Sequence, residues 1–386
     1  MDDEKKMIYL DNGATTVHKP AIVAKAVYQV LSSGQYGNPS RGTYQIAVNA
    51  SELVYQTRQK IAKFFNVPDS SLVVFTKNVT EALNTVIKGY LKPGDDVIAT
   101  MYDHNSVLRP IYQMVKYNVS HTFLPLDAQT NLVDLTTLEK SIKPNTKMVV
   151  CTHASNVIGN LVDLKKVAEI CHRHHILFVV DAAQTAGVLP IDMQKIGIDV
   201  LCFTGHKSLY GPEGTGGICF SHQIDIEPLI VGGSGIDSYN HSMPKRFPEC
   251  LEGGTANVPG IAGLGAGIDY LMSHDYVKLG QETRKLADYF VQEIKDHSNI
   301  HIYTNLVAPH VATIGLNIAG MNSADVSAYL SEYGIATRSG AHCAPLIHQT
   351  LGTVEQGIVR FSFCSFNTED EALAASEVIK EIAEQV

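Results

Sequence analysis

From about residue 70 to residue 220 the chain alternates short apolar runs with segments whose apolar positions recur at helical spacing. The runs Leu72–Phe75, Val97–Ala99, Thr122–Leu124, Met148–Cys151, Leu177–Val180, Val200–Phe203 and Gly217–Phe220 predict strands. Continuous rather than alternating hydrophobicity marks strands covered on both faces. Between most of them, stretches such as Glu81–Tyr90, Ser106–Tyr117 and Leu164–His174 read as helices. This alternation predicts an α/β protein built on a doubly wound, mostly parallel sheet. Ligands of such sheets gather beyond the carboxyl ends of the strands, and Thr76, Thr152, Asp181 and Thr204 each lie at or just past such an end.

Two helices are expected before this core, near Pro20–Leu31 and Thr43–Phe65, with the turn-rich Ser33–Ser40 between them. The Gly- and Pro-rich stretch Gly232–Gly260 breaks periodicity and reads as a long functional loop. The remainder reads as a smaller α+β unit, with helices near Ile261–Met272, Val277–Lys295, Ser323–Tyr333 and Thr368–Glu384 and strands near His301–Tyr303, Val311–Leu316 and Ile358–Phe363. The expected division is a large domain over residues 17–260 and a small one over 261–386 that also takes in residues 1–16.

A chain of 386 residues, 45% hydrophobic and 18% charged, can bury a large core in roughly two domains. A formal charge of −9 with no basic cluster speaks against nucleic acid as a partner. No apolar run reaches the ~18 residues of a spanning helix, and Met1–Leu10 does not read as an export signal, so no membrane association is expected. Seven scattered cysteines suit a reducing cytoplasm better than a disulfide framework, and the lack of a Cys-x-x-Cys pair predicts no metal site. His172-Arg173-His174-His175 closes a predicted helix, where basic residues favour the dipole.

Candidate chemistry clusters at the strand ends. Asp181 follows five apolar residues, so its carboxylate needs a partner; it suits either a helix cap or the ring nitrogen of a pyridine cofactor, with Gln184 nearby to donate to a phenolate oxygen. Lys207, in Thr204-Gly205-His206-Lys207, stands after an apolar run, where lost hydration makes an amine a usable nucleophile and proton carrier; a surface loop lysine is the plain alternative. A carboxylate and a lysine at one sheet edge suit pyridoxal 5'-phosphate. Asn78-Val79-Thr80-Glu81 lies between strand and helix and suits either a phosphate or a simple cap. His104 could stack on a flat ring, shuttle a proton, or be an ordinary loop histidine. The Gly232–Gly235 run lacks the strand-to-helix context of a dinucleotide loop.

Among the cysteines, Cys343 in Arg338-Ser339-Gly340-Ala341-His342-Cys343-Ala344-Pro345 is set apart by nearby Arg338 and His342, cations that would lower a thiol's pKa. Cys151, Cys171, Cys202 and Cys219 lie in apolar segments and are expected in the core, while Cys250 and Cys364 have no comparable context.

Together these motifs resemble the cysteine desulfurases, fold-type I pyridoxal phosphate enzymes of aminotransferase class V, from Tyr9-Leu10-Asp11-Asn12 to Arg360. The resemblance implies Lys207 as the Schiff-base lysine, Asp181 as the ring-nitrogen partner and His104 as the stacking histidine. It implies Gln184 and Asn156 at the 3-hydroxyl side and substrate, and Thr80, Thr204 and His206 at the phosphate. Thr255, in Glu252-Gly253-Gly254-Thr255, is similar to a threonine that reaches the phosphate of the neighbouring subunit, which implies a homodimer. Arg360 resembles the arginine that grips the substrate carboxylate, with Arg338 also at the substrate. The cysteine loop is nearest to the SUF-type pattern Arg-x-Gly-His-His-Cys-Ala, with Ala341 replacing its first histidine.

The activity this implies is conversion of L-cysteine to L-alanine, with sulfur left as a persulfide on Cys343 for a sulfur-acceptor protein. Selenocysteine lyase activity on L-selenocysteine uses the same apparatus. A class V aminotransferase would need Lys207, Asp181 and Arg360 but no thiol, and a non-catalytic scaffold would need none of them.

Overall fold

A computed structural model describes residues 7–40 and 42–386. The part of the expected 1–16 segment before residue 7 lies outside them. Its strands are β1 (Ile8–Tyr9), β2 (Val73–Thr76), β3 (Asp96–Thr100), β4 (Ser120–Leu124), β5 (Thr146–Thr152), β6 (Leu177–Asp181), β7 (Val200–Thr204), β8 (Gly216–Phe220), β9 (Ile300–Ile302), β10 (Thr313–Ile318), β11 (Ile335–Ala336) and β12 (Val359–Ser362).

A seven-stranded sheet runs in the order β2-β8-β7-β6-β5-β3-β4. Every pair from β4 to β7 is parallel, and only β8 runs antiparallel to its neighbours β7 and β2. The sheet is therefore mixed but mostly parallel, as the alternation of elements predicts. Successive residues of one strand feed opposite faces. Ile98, Phe178, Val180, Leu201 and Phe203 pack in one core, and Val97, Ala99, Val179, Val200 and Cys202 in the other. Both faces being covered explains the unbroken apolar runs.

The strands extend past their apolar runs because polar ends are satisfied in place. Asp96, fully buried, accepts from Ser120 Oγ at 2.6 Å and Thr146 Oγ1 at 2.8 Å and pairs with Lys143 at 2.7 Å. A second sheet, order β12-β10-β9, is antiparallel and carries its own core around Phe290, Ile314 and Phe361. The expected strand Val311–Leu316 instead spans Thr313–Ile318. Its first two residues turn toward the large sheet, Val311 N donating to Gly159 O, while buried Asn317 extends the far end by donating to Gly357 O at 2.7 Å.

Three short elements lie beyond what the sequence pattern predicts. β1 pairs with β11 in parallel as a separate two-stranded sheet, and a bridge from Asp11 to Ser362 ties it to the smaller sheet. A helix at Pro345–Leu351 follows the cysteine loop, with proline in its first turn. Among the described residues no helix is long and apolar enough to cross a membrane.

Candidate active site

The ends of β5, β6 and β7 converge on a cavity of about 770 Å³, counting its solvent-open mouth. Thr80, His104, Asn156, Asp181, Gln184, Thr204, His206 and Lys207 all line it. Residues separated by more than a hundred positions thus meet at one sheet edge, where α/β ligands bind.

The lysine turn is built by close approach and outside bracing. A Cβ at Gly205 would stand 2.1 Å from Thr215 Oγ1, so only glycine lets the chain pass. The His206 carbonyl accepts from Thr16 N, from the Thr15 and Thr16 hydroxyls and from Lys19 Nζ at 2.6 Å, and Thr16 Oγ1 also donates to Lys207 O at 3.1 Å. Burial, aided by the nearby Arg360 charge, lowers Lys207 to about 8 against the partial opposition of Asp181. This amine gives up its proton more readily than an exposed lysine. Burial also pulls His206 down to about 4, so its ring is neutral, and Nδ1 shares a hydrogen bond with Thr15 Oγ1 at 3.0 Å.

Asp181 is 3% exposed, and burial raises its carboxyl pKa. It caps no helix; its Oδ1 accepts from Ala183 N at 2.8 Å across a tight turn. No ion pair joins it among the described residues, which leaves a buried carboxylate facing a cavity without a bonded cation. Asp103 lies deeper. It accepts from Thr100 N at 2.7 Å, Thr100 Oγ1 at 2.8 Å and Thr152 N at 2.8 Å, and burial pushes it up to about 7.

His104 is the N-cap of helix Asn105–Met114, its Nδ1 accepting from Ser106 N at 3.0 Å. Nδ1 is therefore unprotonated, and with burial lowering the ring to about 4 the neutral tautomer carries its proton on Nε2. Asn78 caps helix Val79–Tyr90 through Glu81 N, so the cap reading of that segment is realised. Thr80 takes no part in the cap. Its hydroxyl shares a 2.8 Å hydrogen bond with Ser106 Oγ, and Val79 and Thr80 line the cavity at a helix start whose first N–H groups lack helical acceptors. Gln184 Nε2 donates to Gly13 O at 3.1 Å, which turns its amide partly toward the N-terminal segment.

Arg360 is 2% exposed and bonds Asp11 Oδ1 at 2.6 Å and Asn156 O at 2.9 Å, leaving Nε buried with no partner. Asn156 Oδ1 is likewise buried and unpartnered. Arg338, about half exposed, holds the other Asp11 oxygen through Nε at 3.1 Å, and neither arginine lines the cavity.

Cys343 alone among the seven cysteines is exposed. The expectation that His342 stands beside it as a cation is overturned. His342 is buried, donates from Nε2 to Ile358 O at 2.8 Å, and is driven down to about 3 by burial and then by Arg360. It is a neutral anchor beneath the loop. Arg338, the other expected cation, has its charge met by Asp11. Thr255 does not join the cavity. It lines a separate hollow of about 1730 Å³ whose wall includes Glu252, which pairs with Arg58 at 2.8 Å and accepts from Phe75 N at 2.7 Å.

Asp11, Thr16, Lys19, Asp103 and Ser106 were not singled out from sequence. For Asp11 the only available signal was a carboxylate inside Tyr9–Asn12, and for Asp103 a carboxylate next to His104.

A mixed α/β sheet with such an edge is shared by a known class. The sequence pattern of the aminotransferase class-V family matches residues 8–374. The chain belongs to this family of pyridoxal phosphate enzymes. Within it, the chain is 32% identical to a probable cysteine desulfurase of Methanothermobacter thermautotrophicus, over 97% of this chain and 94% of that protein. Cysteine desulfurase CsdA of Escherichia coli is 31% identical over 94% of this chain and 91% of its own. The apo structure of a cysteine desulfurase from Thermococcus onnurineus superposes with a TM-score of 0.90 at 30% identity, covering 98% of this chain and 95% of that one. These likenesses bear out the expected family, α/β architecture and cysteine desulfurase class; they do not specify the SUF-type branch.

Proposed function

We propose that the protein is a pyridoxal phosphate-dependent cysteine desulfurase whose cavity at the β5–β7 edge holds the cofactor and whose Cys343 receives the sulfur. The cavity fits the cofactor because Asp181 is a buried carboxylate without a bonded cation and Lys207 an amine whose proton affinity burial has lowered. Asp181 would meet the ring nitrogen, His104 the ring face, Gln184 and Asn156 the 3-hydroxyl side, and Thr80, Thr204 and His206 the phosphate. The bound cofactor supplies an aldehyde for amine condensation and a cationic ring that accepts electrons.

The chain's own residues do the rest. Lys207 Nζ takes and returns the proton at the substrate α-carbon. Arg360, oriented by Asp11 and Asn156 O, would meet the substrate carboxylate through its guanidinium, with Arg338 beside it on the same Asp11. The neutral His104 carries a proton on Nε2. The Cys343 thiolate attacks the sulfur of L-cysteine: an S–S bond forms, the C–S bond breaks with its electron pair left on carbon, and that carbon takes a proton to become alanine's methyl group. A persulfide stays on Cys343 for delivery to an acceptor protein.

The observation that carries the desulfurase reading is that Cys343 is the exposed thiol and its carbonyl accepts at 2.6 Å from Asn105 N, the residue between the cavity-lining His104 and Ser106. Cys343→Ser should lose sulfide and alanine formation from L-cysteine by ~10³-fold while keeping the cofactor's visible band. Undiminished sulfide release sinks the assignment; alanine formation from L-selenocysteine alone would mark a lyase. Thr255 in its own hollow, together with the exposed apolar residues Ile22, Tyr28 and Leu31, supports a homodimer in which the threonine serves the other subunit. The cytoplasm is the compartment proposed, since it keeps such thiols reduced.

A further inference from the structure

The Cys343 loop holds an unfavourable backbone without glycine at its key positions. His342 and Cys343 both sit in the left-handed region, at φ 48° and 57°. Side chains of this kind adopt it only when surroundings over-determine it. Three contacts do so. The His342 ring is fixed to Ile358 O at 2.8 Å, Asn156 Nδ2 donates to His342 O at 2.7 Å, and the Asn105 main-chain N–H donates to Cys343 O at 2.6 Å. The last donor is the first N–H of helix Asn105–Met114, a group without a helical acceptor. The residue before it, His104, caps the same helix and lines the cavity.

We propose that the Asn105 N–H is a latch that positions the sulfur acceptor: it pins the Cys343 carbonyl to the helix that carries His104, so that the thiol and the cavity wall share one rigid frame. Asn105 is a positioning residue acting through its main chain, and its side chain is dispensable. The inference rests on Cys343 being the acceptor. Transfer between two sulfurs needs close alignment, and loosening one partner costs rate rather than binding.

Proline at position 105 tests this surgically. It deletes the N–H while suiting the first position of a helix, and His104, at φ −71° and ψ 157°, already has the extended backbone that precedes proline. In the holoenzyme, Asn105→Pro should lower alanine formation from L-cysteine by at least ~10-fold with KM and α-proton exchange of L-alanine within about twofold, and Asn105→Ala should match the unaltered protein. Undiminished alanine formation in Asn105→Pro, or equal loss in Asn105→Ala, overturns the latch. Should Asn105→Pro fail to take up cofactor, amide exchange of the unaltered holoenzyme decides: strong protection of the Asn105 amide supports the latch, and exchange at the rate of an unstructured amide refutes it. Full activity in Cys343→Ser would refute the acceptor reading itself, separately from these results.

Discussion

Lys207 and Cys343, the two nucleophiles of the proposed function, sit in opposite settings. The lysine follows a buried strand, and its main chain is braced by hydroxyls and an ammonium from Thr15–Lys19. Its reactivity is set by solvation, since burial removes the water that would stabilise its charge. The cysteine sits in the open on a short loop, held by hydrogen bonds to main-chain carbonyls over a neutral histidine. Its part is set by placement. On the proposed function, chemistry at fixed atoms belongs within the sheet edge, whereas a group that passes sulfur to another molecule belongs at the surface.

The sharpest way to break this contrast is at the amine. Lys207→Ala should abolish both cofactor attachment, read by borohydride trapping and peptide mapping, and turnover, by ~10⁴-fold or more; retained trapping elsewhere would move the reactive amine. Arg360 bears on both regions, because its charge lowers Lys207 and also His342 beneath the cysteine loop, and the proposed function assigns it to the substrate carboxylate. Arg360→Gln should raise KM for L-cysteine by ~100-fold, in line with ~3 kcal/mol for a charged bond in a buried site. It should also raise the Lys207 pKa in the apo protein, visible in the pH dependence of amine labelling; an unmoved profile would detach the arginine from the lysine.

The smallest effect expected is on stability in acid. His342 has a folded value of about 3 against an ordinary value of 6.5, so the unfolded chain binds the extra proton between those pH values. Stability is then complete above about pH 6.5 and is lost as pH falls through that window, by up to ~1.4 kcal/mol per pH unit for this one group. His104, His153 and His206, each at about 4, act in the same direction. Asp103, raised to about 7, acts in the other, because its folded carboxyl holds a proton the unfolded one has released. The thermal midpoint should therefore fall by a few degrees from pH 6.5 to 5.5, and less steeply in His342→Asn, whose residue tolerates the left-handed backbone. Equal slopes would show that His342 is not the buried neutral anchor.

Much of this molecule could be read from the chain. Apolar runs of strand length fixed the existence of the large sheet's strands, because burial on both faces demands hydrophobic residues at every position. Asp181 is legible because it directly follows such a run, and His104 and Lys207 because they stand a few residues past one, where the chain leaves the sheet edge. Less legible were β1 and β11, two residues each, whose pairing depends on where the start of the described chain lands. Asp96 and Asn317 hid strand ends, since their polarity is answered by partners distant in sequence.

By itself, then, the sequence determined the class of fold and pointed to polar residues that meet at one cavity, both consequences of local pattern and residue type. Only the tertiary structure decided how those residues are tuned: that His342 is a neutral anchor rather than a cation, that Asp11 joins Arg338 to Arg360, that Asp103 lies behind the cavity and that Asn105 holds Cys343. Desolvation and hydrogen-bond partners depend on what the rest of the chain brings alongside, and no spacing along a sequence encodes that directly.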